Sequence, residues 1–273
     1  MYSKFNYKPS QKMIREFLKF KDKGTDIYSK FELESRKCLK EFIKENGHIN
    51  GDDIKDHWFQ VQKADIFISH SHQNLEEVKA FAGWLHEEFG LNAFIDSCSW
   101  GYCDDLLREI DQKFSYNEAS GLYDYRLRNY TTSHVHTMLS LALTEMIDKC
   151  ECVIFFNTPE SINISTAIDE IRNEKQVTIS PWIYHELSMA SMVQQTFPER
   201  YPIPILEHSG YFLAKSDFKV DYDVTKYLNS MSTLSDDMLT KWKDNNRRKG
   251  PETLDDLYKI AHQENSIGVT CNG

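Results

Sequence analysis

The sequence contains no run of about 18 apolar residues, the length a helix needs to cross a bilayer. Its opening stretch, "MYSKFNYKPSQKMIREF", carries charges throughout and lacks the apolar centre of a signal peptide, so a cytoplasmic location is expected. A basic excess is missing too. The 32 Lys and Arg residues face 42 Asp and Glu, a net charge of −10. No extended surface for gripping nucleic acid is expected, and no nucleic-acid or membrane partner. The six cysteines, Cys38, Cys98, Cys103, Cys150, Cys152 and Cys271, follow no regular framework. A chain of 273 residues can bury a core without disulfides, and these are read as reduced thiols.

Several chemical signatures are absent as well. There is no G-x-G-x-x-G, no phosphate loop ending in Gly-Lys and no G-x-S-x-G. A ligand such as NAD would therefore not be held as a redox dehydrogenase holds it. "HVH" at 134–136 and "CEC" at 150–152 lack partner pairs at zinc spacing, and "HELSM" at 185–189 lacks the second histidine of a zinc protease, so no metal is expected. Cys150 and Cys152 are expected on one side of a strand, buried. Internal repeats and low-complexity tracts are absent.

What is present is a packed globular composition, 40% hydrophobic and 13% aromatic. Residues 10–46 have helical period, through Ile14, Phe17 and Leu18 and again through Phe31, Cys38, Leu39, Phe42 and Ile43. Residues 1–62 are read as an N-terminal helical extension. At residue 64 the pattern changes. "ADIFIS" reads as a buried strand, Leu75 to Phe89 as a helix stopped by Gly90, and "NAFID" as a second strand. Residues 104–114 look helical, 115–132 read as an inserted polar loop, and helical period returns at Val135. "CECVIFF" is a third strand, apolar on both faces. "YPIPILEH" and "FKVDYD" are candidates for a fourth and fifth, and "PETLDDLYKIAHQ" for a final helix. Strands alternating with helices predict an α/β fold with an open parallel sheet of flavodoxin type, helices on both faces. Its core spans 63–210, with an insertion near 115–134, and 211–273 completes or flanks it.

In such a sheet, ligands bind beyond the carboxyl ends of the strands. Three loops then matter: "SHSHQN", "SCSWGYCDD" and "NTPESI". The helix that follows begins in "TISPWIYHEL". Ser180 is a natural N-cap, Pro181 suits the first helical position, and Ile179 with Tyr184 could staple the entry. Trp182 and Glu186 then stand at i and i+4, an indole beside a carboxylate on one face.

Together, "ADIFISHSHQN", "LNAFIDSCSWGYCDDLLREI", "CECVIFFNTPESI" and "SPWIYHEL" resemble a bacterial TIR (Toll/interleukin-1 receptor) domain, over roughly residues 63–210. Two features depart from the pattern: Ile183 stands where many members have Cys, and the 115–134 stretch is long. The resemblance implies cleavage of the nicotinamide–ribose bond of NAD, as substrate and with no further cofactor. It implies Glu186 as the catalytic carboxylate and Ser69, His70, Ser71, Ser97, Trp100 and Trp182 as ligand contacts, with His72 beside them. It further implies TIR–TIR self-association, and anti-phage defence of the Thoeris type in which a nucleotide signal activates a separate effector protein. Two other readings fit the same residues: a non-catalytic TIR adaptor acting by assembly, and a nucleoside deoxyribosyltransferase-like enzyme.

Overall fold

The computed structural model describes residues 1–34, 42, 50–95, 97–165, 175–201 and 222–270, with backbone alone for 29–34, 97–102, 164–165 and 265–270. The chain begins with β1 (Ser3–Tyr7), α1 (Gln11–Leu18), α2 (Lys21–Glu34) and α3 (Gly51–Trp58). β2 (Ile66–His70), α4 (Leu75–Phe89), β3 (Ala93–Ile95) and α5 (Ser97–Phe114) follow. A hairpin of β4 (Tyr116–Asn117) and β5 (Leu122–Tyr123) leads into α6 (Tyr125–Lys149) and β6 (Cys152–Phe156). β7 (Asn163–Ser165), β8 (Lys175–Thr178), α7 (Pro181–Met192), β9 (Tyr222–Asp223) and α8 (Thr225–Asn229) come next. The last elements are β10 (Ser232–Leu234), α9 (Asp236–Asn245) and α10 (Leu254–Thr270). No helix among the described residues is long and apolar enough to cross a membrane.

Five strands form one all-parallel sheet in the order β10-β1-β6-β2-β3. Side chains alternate across it, so β2, β3 and β6 each feed two cores. Phe67, Val153 and Phe155 pack on one face against α3, α5, α6, α7 and α8. Phe5, Tyr7, Ile66, Ile68, Ile154 and Phe156 pack on the other against α1, α2, α4, α9 and α10. This is a three-layer α/β architecture compatible with the flavodoxin class.

β2, β3 and β6 form where the apolar runs predict strands, and Gly90 ends α4 in the left-handed conformation at φ 67°. The N-terminus departs from expectation. Residues 3–7 are not a helical flank but a strand between β6 and β10, with Phe5 and Tyr7 buried. In chain order, β3-β2-β6 fills the first three places of a flavodoxin sheet (second, first, third), and β1 and β10 take the two that remain. Residues 202–208 of "YPIPILEH" and 218–221 of "FKVDYD" lie outside the described residues. Tyr222–Asp223 is a strand, but it pairs antiparallel with β8 in a separate small sheet.

The 115–132 stretch is a hairpin followed by the first two turns of α6. Asp124 caps that helix, its carboxylate accepting from the Leu127 amide at 2.9 Å. Buried Asp111 anchors it through Thr131, Ser115 and Arg128. Residues 117–130 are all exposed, so their helical part carries no apolar stripe to betray it. Cys150 is also placed differently. It is the C-cap of α6 and joins the core opposite to that of Cys152, because strand alternation begins only at residue 152.

At the amino-terminal edge of the sheet, Arg200 bonds both oxygens of Glu151 at 2.9 and 2.6 Å, and Asp255 at 2.6–3.0 Å. The hydroxyls of Tyr201 and Tyr258 donate to Asp255 and Glu151 at 2.8 and 2.9 Å. This network clamps the segment after α7 to α10 and to the start of β6. Burial alone would raise the Asp255 carboxyl, but the bonds from Arg200 and Tyr201 outweigh it and hold it below its usual value. A carboxyl depressed in the folded state stabilises above its unfolded pKa of about 3.9 and loses that contribution as pH falls through the folded value. Arg200→Ala leaves two partly buried carboxylates facing each other. It is expected to cost about 2 kcal/mol at pH 7, between the surface and buried limits for ion pairs, and less at pH 3. Urea melts at the two pH values check this.

Candidate functional site

β2 carries its chain to the carboxyl rim beside β6, where the sheet's strand order reverses. Ser69 and Phe67 share one face of that strand by alternation, the face covered by α7. α7 starts as its sequence dictates. The Ser180 hydroxyl accepts from the Ile183 amide at 3.2 Å, and Pro181 occupies the first turn. Ile179, however, is 71% exposed, so the expected staple does not form, and Tyr184 stacks on Tyr222 instead.

With its start fixed, α7 turns Ile183, Glu186, Leu187 and Ala190 inward, the i, i+3, i+4, i+7 stripe of a core-facing helix. Three of these are apolar. The fourth is a carboxylate only 1% exposed. Ser69, equally buried, donates its hydroxyl hydrogen to Glu186 Oε2 at 2.6 Å. A buried carboxylate costs free energy unless it is bonded. An apolar residue at position 186 would continue the stripe at no such cost.

The other expected contacts are distributed around this pair. His70 points to the opposite face of β2, with Nδ1 3.4 Å from the Ile68 carbonyl oxygen, and is buried. Ser71 caps the turn before α4, accepting from the Gln73 amide, and His72 is exposed. Trp182 is half-buried, its ring edge-on to His136 of α6 at 5.5 Å. His185 also turns toward α6, with Nε2 3.1 Å from the Ser140 carbonyl oxygen. Burial pushes its pKa down, more than that bond raises it, which favours a neutral ring. Ser97 and Trp100 stand in the first turn of α5, and their side chains lie outside the described residues.

The loops after β2 and β6 meet through polar side chains that sequence reading left unassigned. The Thr158 hydroxyl donates to Asn74 Oδ1 at 2.7 Å, and the Ser161 hydroxyl accepts from the Thr158 amide at 2.9 Å. Asn157 Nδ2 donates to Asn6 Oδ1 at 2.9 Å, joining the end of β6 to β1. The signal for Asn157 and Thr158 was their place directly after a strand. Asn6 carries no such signal, because "SKFNY" is too short and polar to read as a strand. Further along the rim, a cavity of about 540 Å³ opens beyond β1 and β10, lined by Asn6, Lys8, Thr233, Leu234, Ser235, Asp236 and Asp237. It lies on the far side of β6 from the Ser69–Glu186 pair.

Among the described residues, no group of three or more His, Cys, Asp or Glu side chains is placed to hold a metal ion. No protein-family model, curated protein or solved structure matches the chain. The site's distinctive element is one carboxylate in a water-poor setting, held by a hydroxyl donor near the carboxyl end of a central strand. Such a group can accept hydrogen bonds from sugar hydroxyls and stabilise positive charge developing nearby, more strongly than in bulk water.

Proposed function

We propose that this chain is a TIR-type NAD glycohydrolase or cyclase, with Glu186 as its catalytic carboxylate. The observation that supports the reading is the burial of Glu186 in an otherwise apolar helix stripe, bonded to Ser69 at the sheet's carboxyl rim. In the proposed reaction the bond between the ribose C1′ and the nicotinamide nitrogen breaks, and its electron pair stays with the nitrogen. Nicotinamide leaves neutral and needs no general acid. The ribose passes through an oxocarbenium-like state. Glu186 stabilises that charge and holds the ribose hydroxyls. Water, or a hydroxyl or ring nitrogen of the same or another molecule, then attacks C1′ and loses a proton. The attacking group decides between linear, cyclic and conjugated ADP-ribose products. The biological setting proposed with this activity is cytoplasmic anti-phage signalling through a separate effector.

A second reading, an adaptor acting by assembly, draws support from the exposed apolar residues Leu122, Tyr125, Leu127 and Tyr130 on the hairpin and the start of α6. Purified protein incubated with NAD separates the two. The enzymatic reading expects nicotinamide release that falls at least about 10²-fold in Glu186→Ala, the scale of losing one preorganised electrostatic group. Equal release from both proteins removes Glu186 from the reaction. No release from either favours the adaptor.

A further inference from the structure

We infer that Ser69 is a positioning residue, which fixes the Glu186 carboxylate for reaction and does not contact the ligand through its hydrogen. The inference rests on the enzymatic reading above and assigns Ser69 a different role from the ligand contact expected of it.

A serine hydroxyl has one hydrogen to donate. Here that hydrogen goes to Glu186 Oε2, across 2.6 Å and between two side chains that are each 1% exposed. This is the length of a charge-assisted O–H···O⁻ bond, roughly twice as strong as a neutral one. The donor is mounted rigidly. Ser69 stands opposite Phe155 in the parallel β2–β6 ladder, one residue before the strand ends, so its backbone is set by the sheet. The acceptor is mounted on a longer lever. Glutamate has three side-chain torsions, and α7 fixes only its Cα position. The helix stripe of Ile183, Leu187 and Ala190 packs on the stem. The bond to the strand holds the carboxylate turned toward Ser69. One of the head's two oxygens is committed to Ser69, which leaves the orientation of the second defined. A group placed this tightly matters for catalysis, since small misplacements of a reacting group cost large factors in rate.

The experiment compares steady-state kinetics of wild type, Ser69→Ala and Ser69→Thr, and measures NAD affinity by calorimetry with and without Ser69→Ala in the inactive Glu186→Gln background. Ser69→Ala is expected to lower kcat roughly 10- to 150-fold, the value of one hydrogen bond to a charged group, with little change in KM. Ser69→Thr, which keeps the hydroxyl, recovers most of the rate. In the Glu186→Gln background, Ser69→Ala leaves the Kd for NAD unchanged, because its effect runs through the carboxylate. A raised KM or Kd in the alanine variants makes Ser69 a ligand contact and overturns the inference, while leaving Glu186 catalytic. Unchanged kcat in Ser69→Ala overturns it equally, as does a loss that threonine does not repair. Failure of the wild-type protein to release nicotinamide is a separate result, which ends the enzymatic reading and this inference with it.

Discussion

Glu186→Gln is expected to lose nicotinamide release by about 10²- to 10³-fold and, in the same protein, to raise the melting temperature. The two effects share one cause. Glu186 is 1% exposed in a stripe with Ile183, Leu187 and Ala190, on a helix that also buries Ser188. Keeping a charge there costs desolvation that the Ser69 hydroxyl repays in part. Glutamine has nearly the same volume and keeps an oxygen to accept from Ser69, so packing survives and a longer, neutral hydrogen bond replaces the charge-assisted one. A gain of about 1 kcal/mol is expected, the usual scale when a strained functional group is made inert. For a chain of this size that is roughly 2–4 °C, measurable by calorimetry or circular dichroism. The pairing of outcomes is diagnostic. A glutamate on a solvated helix face would change neither quantity when replaced. A glutamate needed to hold the fold would lower the melting temperature together with the activity, and that result would turn Glu186 into a structural residue.

Parts of this picture were readable from residue order. "IFISH", "AFI" and "CVIFF" are strands because continuous apolar runs fit a sheet buried on both faces. α7 begins at Pro181 because Ser180 and Pro181 satisfy a helix start locally. Signals of this kind depend only on near neighbours. Failures came where the decisive partner is distant. "SKFNY" alternates polar and apolar residues but is short and carries Lys4 and Asn6. Its strand identity comes from ladders to Cys152–Phe156 and Ser232–Leu234, far along the chain. Ile179 looked like a staple by spacing, yet Tyr184 found Tyr222 instead. The start of α6 was hidden because both its faces meet water, while Asp111, from the preceding helix, supplies the anchor. Position 186 carried a readable clue beyond motif likeness: an acid inside an i, i+3, i+4, i+7 apolar stripe. Its partner Ser69, 117 residues away, could be placed there only by the fold.

Gly24→Ala is expected to be the most destabilising single-methyl addition among the described glycines. α2 and α4 cross on the sheet face opposite α7, and two glycines make the crossing. A Cβ built on Gly24 would lie 2.6 Å from the Lys79 carbonyl carbon and closer still to its oxygen. One built on Gly83 would meet the Phe20 carbonyl oxygen and lie 2.8 Å from the Gly24 amide nitrogen. These obstacles are backbone atoms of α2, α4 and the turn before α2, so no side chain can swing aside to make room. Relief requires the helices to separate, which loosens the layer around Phe17, Phe81 and Trp84, where rings pack at centroid distances of 4.7–5.9 Å. The expected cost is about 3 kcal/mol, the upper part of the range for overpacking, less a few tenths gained from alanine's better helix propensity. That lowers the melting temperature by roughly 6–12 °C. Gly83→Ala should behave similarly, and the double variant should cost less than the sum, since both methyls press on one crossing. Gly121→Ala serves as the control. It strains a φ of +67° but meets no atom within 4 Å, so its cost is expected to stay near 1 kcal/mol. Because the crossing and Glu186 lie on opposite faces of the sheet, the folded fraction of Gly24→Ala at low temperature should keep the wild-type rate of nicotinamide release. A Gly24→Ala protein that melts with wild type would show that α2 can lift from α4 without loosening the core. A protein that stays folded but loses its rate would show that the two faces are coupled through β2.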